Sequence, residues 1–399
     1  MCTPRCSAEL LPSGLGLLLL LNLGIGQLNL EKNAGSGTDS CDASNAESKG
    51  SSCGCGALKR ADFARDGKAA ASDGAVKHSN EPKEVSGESE ETAAVIYLQG
   101  GSFVMGLTPE AYAKLDPAIA QSVPQDGEVP ARNVSLTPFG LGQFEVSNRR
   151  FAEFVRQTGY ITESEKFGWS FGVEAFILPE VNANITSQVA SAPWWLPVDG
   201  ADWRRPNGPG TGIDDVMDHP VSQVSLADAE AFCRWSRPGG RVPSEEEWEF
   251  AARGDKSQKH FPWGNNMLTG KKKRHRMNVW QSEVDDDLKK NGKTRNLYGY
   301  GEKSLILVKE FYSARNTAVD GYLATAPVDA YGPQNAYGFY NLVGNVWEWT
   351  TTPWTTTDPR APPPEANAKV KKGGSFLCNP ATCGRYRTSA RMQFKADSA

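Results

Sequence analysis

Arg241-Val-Pro-Ser-Glu-Glu-Glu-Trp-Glu-Phe-Ala-Ala-Arg253 carries the clearest structural signal in the chain. Ser244 has the side-chain oxygen that caps a helix N-terminus, and Glu247 stands where a carboxylate can bond back to the cap amide. A helix is therefore predicted to start at Pro243–Ser244. Working outward, Ser225 to Trp235 repeats the pattern, with Ser225 as cap and Asp228 at the box position. Asn148 to Gly159 places Phe151, Phe154 and Val155 on one face and ends at Gly159, a residue suited to a left-handed stop. Ala94–Leu98 and Gly100–Met105 read as two short strands around a glycine turn. The remainder reads as short strands and turns, with no repeat of fixed period.

The chain has 399 residues, enough for one large domain or two ordinary ones. A net charge of -4, with scattered basic residues, gives no sign of a nucleic-acid partner. The one basic run, Lys271 to Arg276, reads as a solvated loop. Eleven tryptophans beside many glycines and prolines predict a loop-rich domain packed around aromatic rings.

The N-terminus reads as a signal peptide over 1–26. Arg5 supplies the positive charge, Leu10–Leu21 the apolar run, and Gly24-Ile25-Gly26 the small residues for cleavage. That run is short for a membrane span, so no membrane association is expected after cleavage. Two sequons, Asn133-Val-Ser135 and Asn184-Ile-Thr186, suit glycosylation in the secretory pathway. Residues 27–91 are rich in Gly, Ser, Ala, Asp and Lys and cannot bury enough apolar surface to offset ordering, so they read as a disordered tail. Within that tail, Cys53-Gly-Cys55 reads either as a local disulfide or as a redox pair that tethers lumenal thiol oxidoreductases. Of eight cysteines, Cys2 and Cys6 would leave with the signal, and Cys233 has no evident partner. The folded domain is expected over 92–399.

Cys378-Asn-Pro-Ala-Thr-Cys383 is the candidate for chemistry. Two soft thiolates suit Cu(I), and they could converge on one ion from a loop or strand end, whereas a helix would turn them to different faces. The pair also fits a plain disulfide in an oxidising lumen. Zinc would need four nitrogen or sulfur ligands, and only this pair is close in sequence.

The region from about Gly100 to Arg391 resembles the formylglycine-generating enzyme (sulfatase-modifying factor) family. The resemblance rests on Asp126-Gly-Glu-Val-Pro-Ala-Arg132, Phe144-Glu-Val-Ser-Asn148, the block from Ala192 to Pro206, Asp218-His-Pro-Val221, the opening stretch, Phe261-Pro-Trp-Gly-Asn265, Ala326-Pro-Val-Asp329, Gly344-Asn-Val-Trp-Glu-Trp-Thr350 and Gly373-Gly-Ser-Phe-Leu-Cys378. It implies an α+β fold of low regularity, a variant of the C-type lectin-like architecture.

Catalytic members of the family carry two cysteines at the spacing of Cys378 and Cys383. The resemblance implies that these hold Cu(I), that Ser375 helps to orient substrate or oxygen, and that O2 converts the cysteine of a Cys-x-Pro-x-Arg motif in unfolded sulfatases to formylglycine. It implies two calcium sites: Asn278 and Asp320 with the carbonyls of Val279 and Tyr322, and Asn341 and Glu348 with the carbonyls of Gly344 and Val346. Endoplasmic-reticulum residence and a monomer or homodimer follow from the same likeness. The alternative is a non-catalytic, lectin-like paralogue that binds sulfatases or glycoproteins.

Three departures stand out. Asn379 and Thr382 replace His and Tyr of many members, and Trp169 stands where some carry an acidic residue. A stretch of about 284–310 is extra. Cys233 matches a cysteine whose usual partner lies in a final Asn-Leu-Gly-Phe-Arg-Cys segment; this chain ends at Ala399 without it, so Cys233 is expected to be free and one closing strand missing.

Overall fold

In the computed structural model the elements run β1 (Cys2–Thr3), β2 (Ser7–Glu9), β3 (Val95–Leu98), β4 (Gly101–Met105), α1 (Pro109–Tyr112), α2 (Pro117–Ser122), β5 (Arg132–Leu136), β6 (Phe139–Gly142), α3 (Asn148–Thr158), α4 (Glu163–Phe167), β7 (Trp169–Val173), α5 (Pro179–Asn182), β8 (Trp195–Asp199), α6 (Leu226–Ser236), β9 (Gly240–Arg241), α7 (Glu245–Arg253), β10 (Trp347–Pro353), β11 (Ala368–Lys372) and β12 (Met392–Lys395). The structure describes residues 2–9, 94–122, 126–189, 192–281, 316, 318–355, 366–380 and 383–397. All of them fall in one unit, Met1–Leu10 with Ser52–Ala399. The tail with Cys53 and Cys55, the apolar run of the leader, the extra stretch at 284–310 and Thr382 lie outside the described residues.

The helices form where their caps are. Ser225 Oγ accepts from the Asp228 amide and Asp228 accepts from the Ser225 amide, at 3.2 and 2.9 Å; Ser244 and Glu247 do the same at 3.2 and 2.9 Å. α3 ends on Gly159 at φ 64° and buries Phe151, Phe154 and Val155. These bonds satisfy amides that have no partner within the helix. The tryptophans serve as the composition suggests: Trp195, Trp248, Trp347 and Trp349 are fully buried.

Two four-stranded sheets are ordered β1-β10-β11-β12 and β3-β6-β2-β9, with separate pairs β4-β5 and β7-β8. β3 and β4, read from sequence as neighbours around a glycine turn, part company there, β3 pairing with β6 and β4 with β5.

The N-terminal segment corrects two expectations. Cys233 is not free: it is bonded to Cys6, with their Cα atoms 5.3 Å apart. Nor does the second sheet lack a strand, because β2 runs between β6 and β9, antiparallel to both, with Ser7 opposite Leu141 and Ala8 opposite Gly240. β1 runs parallel to β10, with Cys2 opposite Trp347. Residues assigned from sequence to a leader thus stand in both large sheets.

Candidate functional site

β11 delivers the chain to the cysteine loop through Gly373 and Gly374, at φ 92° and 75°. A Cβ on Gly373 would lie 2.8 Å from the Leu342 carbonyl oxygen, and one on Gly374 2.8 Å from Tyr386 Cα. Both the backbone conformation and the close approach therefore require glycine. Beyond the turn the chain folds on itself. The Cys378 amide donates to the Ser375 carbonyl at 2.9 Å, and the Cys383 amide to the Asn379 carbonyl at 2.9 Å. Neighbouring loops fix its position, the Trp280 amide donating to the Cys378 carbonyl and the Phe376 amide to the Asn345 carbonyl.

Neither cysteine lies in a helix or strand, and their side chains meet. Cys378 and Cys383 are bonded, with Cα atoms 4.8 Å apart. Both are buried among core residues, together with Ser375 and Asn379. Ser375 Oγ lies 4.0 Å from Cys378 Sγ and accepts from the Leu377 amide at 3.4 Å. The arrangement holds an oxidised pair. Two electrons and two proton equivalents would convert it to two thiols whose thiolates share one small, dry space, a donor set that suits a soft monovalent ion.

Ion pairs clamp the loop from both sides. Before it, Lys372 donates to Glu249 at 3.0 Å, and Arg253 adds a second cation to the same carboxylate at 2.6 Å. Burial opposes the Glu249 charge, but Lys372, Arg253 and the Gly106 amide together outweigh it and hold the carboxyl at about 2. After it, Arg387 makes a two-pronged contact with Glu128 at 2.8 and 2.7 Å, and Ser389 Oγ donates to the same group at 2.6 Å. Arg385 reaches Asp126 at 2.7 Å. The two carboxylates respond differently. Burial raises Asp126 more than its Arg385 contact lowers it, whereas Arg387 and Ser389 overcome burial at Glu128 and lower it. Tyr386, between the two arginines, is fully buried; its hydroxyl has no hydrogen-bond partner among the described residues, and burial pushes its pKa up.

The first predicted calcium set comes together. Asp320 accepts from the amides of Val279 and Tyr322, both at 3.1 Å. Asn278 Oδ1 is buried with no hydrogen-bond donor among the described residues, and burial raises the Asp320 carboxyl. An orphaned amide oxygen beside a carboxylate short of positive charge fits a hard cation. The Val279 carbonyl already accepts from Gln281 at 2.6 Å.

The second set meets only in part. Asn341, at φ 45°, buries an Oδ1 without a donor. Gly344 and Val346 follow in the same loop. Glu348, however, accepts from Arg5 through both oxygens and from Trp248 Nε1 at 2.8 Å, so its charge is already balanced. A second buried oxygen without a donor, close to Asn341, belongs to Glu145, a residue not singled out from sequence. It is fully buried, its Oε1 has no donor among the described residues, and its Oε2 accepts from Asn345 at 2.7 Å and Asn341 at 3.2 Å. Burial and then the nearby Glu348 push its carboxyl well up, against the opposing effect of Arg5. Among the described residues no group of three or more His, Cys, Asp or Glu side chains could hold a metal, so a cation at either set would depend on amide and backbone oxygens.

Both sets abut the cysteine loop. The Gly344 amide donates to the Gly373 carbonyl, and the Asn345 amide to the Asn278 carbonyl. The two sequon residues lie apart from this region of the sequence and are exposed, Asn133 on β5 and Asn184 just after α5.

Residues 81–399 match the family described as the sulfatase-modifying factor enzyme 1-like domain. The chain is 40% identical over 372 residues to the formylglycine-generating enzyme of Mus musculus, covering 91% of this chain and 87% of that protein. It is 40% identical over 317 residues to the formylglycine-generating enzyme of Thermomonospora curvata, covering 76% and 89%. It is also 37% identical over 312 residues to a Bos taurus protein named inactive C-alpha-formylglycine-generating enzyme 2, covering 77% and 85%. This chain belongs to the sulfatase-modifying factor family. Since that family includes a protein named inactive, membership alone does not assign the reaction.

Proposed function

We propose that this protein is an oxidase that converts the cysteine of a Cys-x-Pro-x-Arg motif in newly made sulfatases to formylglycine. The observation that carries the reading is the meeting of Cys378 and Cys383 in a buried, clamped loop with Ser375 beside them. In the reduced form their thiolates would hold Cu(I), which would supply the centre for oxygen activation. The protein's own groups do the rest. The glycine turn and the ion pairs hold both sulfurs in place, burial excludes water, and the Ser375 hydroxyl is oriented by the Leu377 amide toward the sulfur side. Four electrons reduce O2 to two waters: two come from the substrate CH2–SH as it becomes a thioaldehyde, and two from external thiols that become a disulfide. Water then hydrolyses the thioaldehyde to the aldehyde and hydrogen sulfide.

Asn278 and Asp320, and Asn341 with Glu145, are the groups that would hold calcium and brace the loops behind the cysteines. The Cys6–Cys233 bond and the exposed Asn133 and Asn184 support residence in the oxidising lumen of the secretory pathway. The low-regularity, lectin-like variety of the α+β fold belongs to the same reading.

The test is incubation of a Cys-x-Pro-x-Arg peptide with full-length protein, copper, O2 and a thiol. The expected result is a peptide of lower mass that reacts with a hydrazine probe; an unchanged peptide at every copper and thiol concentration overturns the reading. A second reading, a non-catalytic sulfatase-binding paralogue, is favoured by the bond between Cys378 and Cys383. It predicts peptide binding with no turnover and no copper uptake.

A further inference from the structure

Arg5, read from sequence as the charge of a signal peptide, is fully buried, and all five of its guanidinium N–H bonds have acceptors. Nε and Nη2 donate to the two oxygens of Glu348, each at 2.7 Å. Nη1 donates to the carbonyls of Gly142 and Gln143 at 3.0 and 2.9 Å, and Nη2 donates again to Tyr340 at 2.8 Å. A single side chain thereby ties the end of β6, the loop before β10 and β10 itself. The next residue, Cys6, is bonded to Cys233 in α6, and its carbonyl accepts from the Gly142 amide at 2.8 Å. The residue before, Pro4, accepts from the Val146 amide at 3.2 Å. Thr3, Arg5 and Ser7 are all without solvent exposure.

Removing this segment would leave three kinds of damage at once. Glu348 would stay buried with only Trp248 as partner. Cys233 would become a buried free thiol. β6 and β9 would lose the strand between them, exposing two rows of unpaired backbone groups. A dispensable leader would be expected to leave none of these gaps.

We propose that Cys2–Glu9 is a permanent closing strand of the folded domain, held by Cys6–Cys233 and Arg5–Glu348, and that it stays in place even when the chain is cut between Leu10 and Ala94. This inference is independent of the proposed reaction, since it is read from covalent structure and retention, not turnover.

Two experiments test it. The full chain is expressed through a secretory pathway, its free thiols are blocked, and the folded protein is digested without reductant. The expected result is a Cys6-bearing peptide joined to a Cys233-bearing peptide, the two separating on reduction. A folded protein whose sequence begins beyond Glu9, with Cys233 alkylated without prior reduction, overturns the proposal. In the second experiment a specific protease site is placed between Ala70 and Ala71 of the full chain, and the purified protein is cut. The N-terminal fragment is expected to co-elute with the body in native, non-reducing buffer, and to leave only under denaturant with reductant. Release of the fragment in native, non-reducing buffer overturns the proposal.

Discussion

Cys6–Cys233 and Cys378–Cys383 are both buried, yet they are built in opposite ways. The first joins residues 227 apart in sequence, one just before β2 and the other in α6, beside a fully bonded guanidinium. The second spans five residues, its two cysteines lie outside any helix or strand, and ion pairs on either side position it. On chain-entropy grounds a closure as long as the first constrains the unfolded chain by about 5 kcal/mol, and one as short as the second by only about 2 kcal/mol. The long closure is thus well placed to stabilise the fold. The short one does little that the glycine turn and the clamps do not already do, which frees its sulfurs for chemistry.

The largest expected effect would break the comparison at the short pair. Cys378→Ser should reduce aldehyde formation by at least about a thousandfold, roughly 4 kcal/mol at the transition state. Its melting temperature should stay within about 3 °C of the parent, a difference of about 2 kcal/mol for a domain of roughly 300 residues. Measured together, turnover of the peptide and thermal unfolding check this. A large loss of stability with turnover retained would reverse the roles assigned to the two pairs.

At the long pair the order of effects should invert. Arg5→Ala leaves the Glu348 carboxylate buried without its cation, a change that costs about 3–5 kcal/mol in comparable sites. Cys233→Ala, by removing the covalent clip, should cost about 2–5 kcal/mol. Denaturant midpoints measured at constant slope would show both losses. Whatever folded Arg5→Ala protein remains should turn over peptide at nearly the parent rate per molecule, because Arg5 touches neither cysteine of the loop.

These two regions also show what can be read along a chain and what cannot. The caps at Ser225 and Ser244 were legible because donor and acceptor lie three residues apart, so sequence contains the whole interaction. The spacing of Cys378 and Cys383 was legible for the same reason. Arg5 was read by its neighbours, an apolar run beginning at Leu10, because its true partner lies 343 residues away. Glu145 stood in a quoted block, but its significance depends on Asn341 and Asn345, nearly 200 residues on. An acidic residue between Phe144 and Val146, both buried, was the available signal: a carboxylate in an apolar context must find a partner. The calcium assignment of Glu348 failed to anticipate Arg5 for the corresponding reason, since the cation that satisfies it was assigned to a leader.

The clamps sharpen the comparison through pH. The carboxyl of Glu249 is held at about 2 in the folded protein, below its ordinary value of 4.5. A depressed carboxyl contributes stability that is present above its unfolded value and is lost as pH falls from about 4.5 toward about 2. The parent protein should therefore lose stability over that window. Glu249→Gln should be less stable at pH 7, by an amount on the order of 3 kcal/mol, since Lys372 and Arg253 would lose their shared anion. Its acid-side slope should be shallower by the one proton that Glu249 no longer takes up. Urea unfolding at several pH values between 2 and 7 measures both, and an unchanged slope in the variant would remove Glu249 from the loop's acid response.

The smallest effect expected is at Ser375, and it separates orienting a sulfur from holding a fold. Its Oγ is 4.0 Å from Cys378 Sγ and takes only a long bond, 3.4 Å, from the Leu377 amide, so little stability rests on it. Ser375→Ala should change unfolding free energy by about 1 kcal/mol or less, within the range of a single neutral hydrogen bond. Turnover of the peptide should fall about tenfold, which corresponds to roughly 1.4 kcal/mol, if the hydroxyl hydrogen-bonds to the sulfur or to substrate in the reacting state. Ser375→Thr retains the hydroxyl but adds a methyl group to a buried position, so its turnover should lie between that of the parent and that of the alanine variant, with the greater loss of stability of the two. A serine that served only to fill space would reverse the order in turnover alone, the threonine variant falling below the alanine variant.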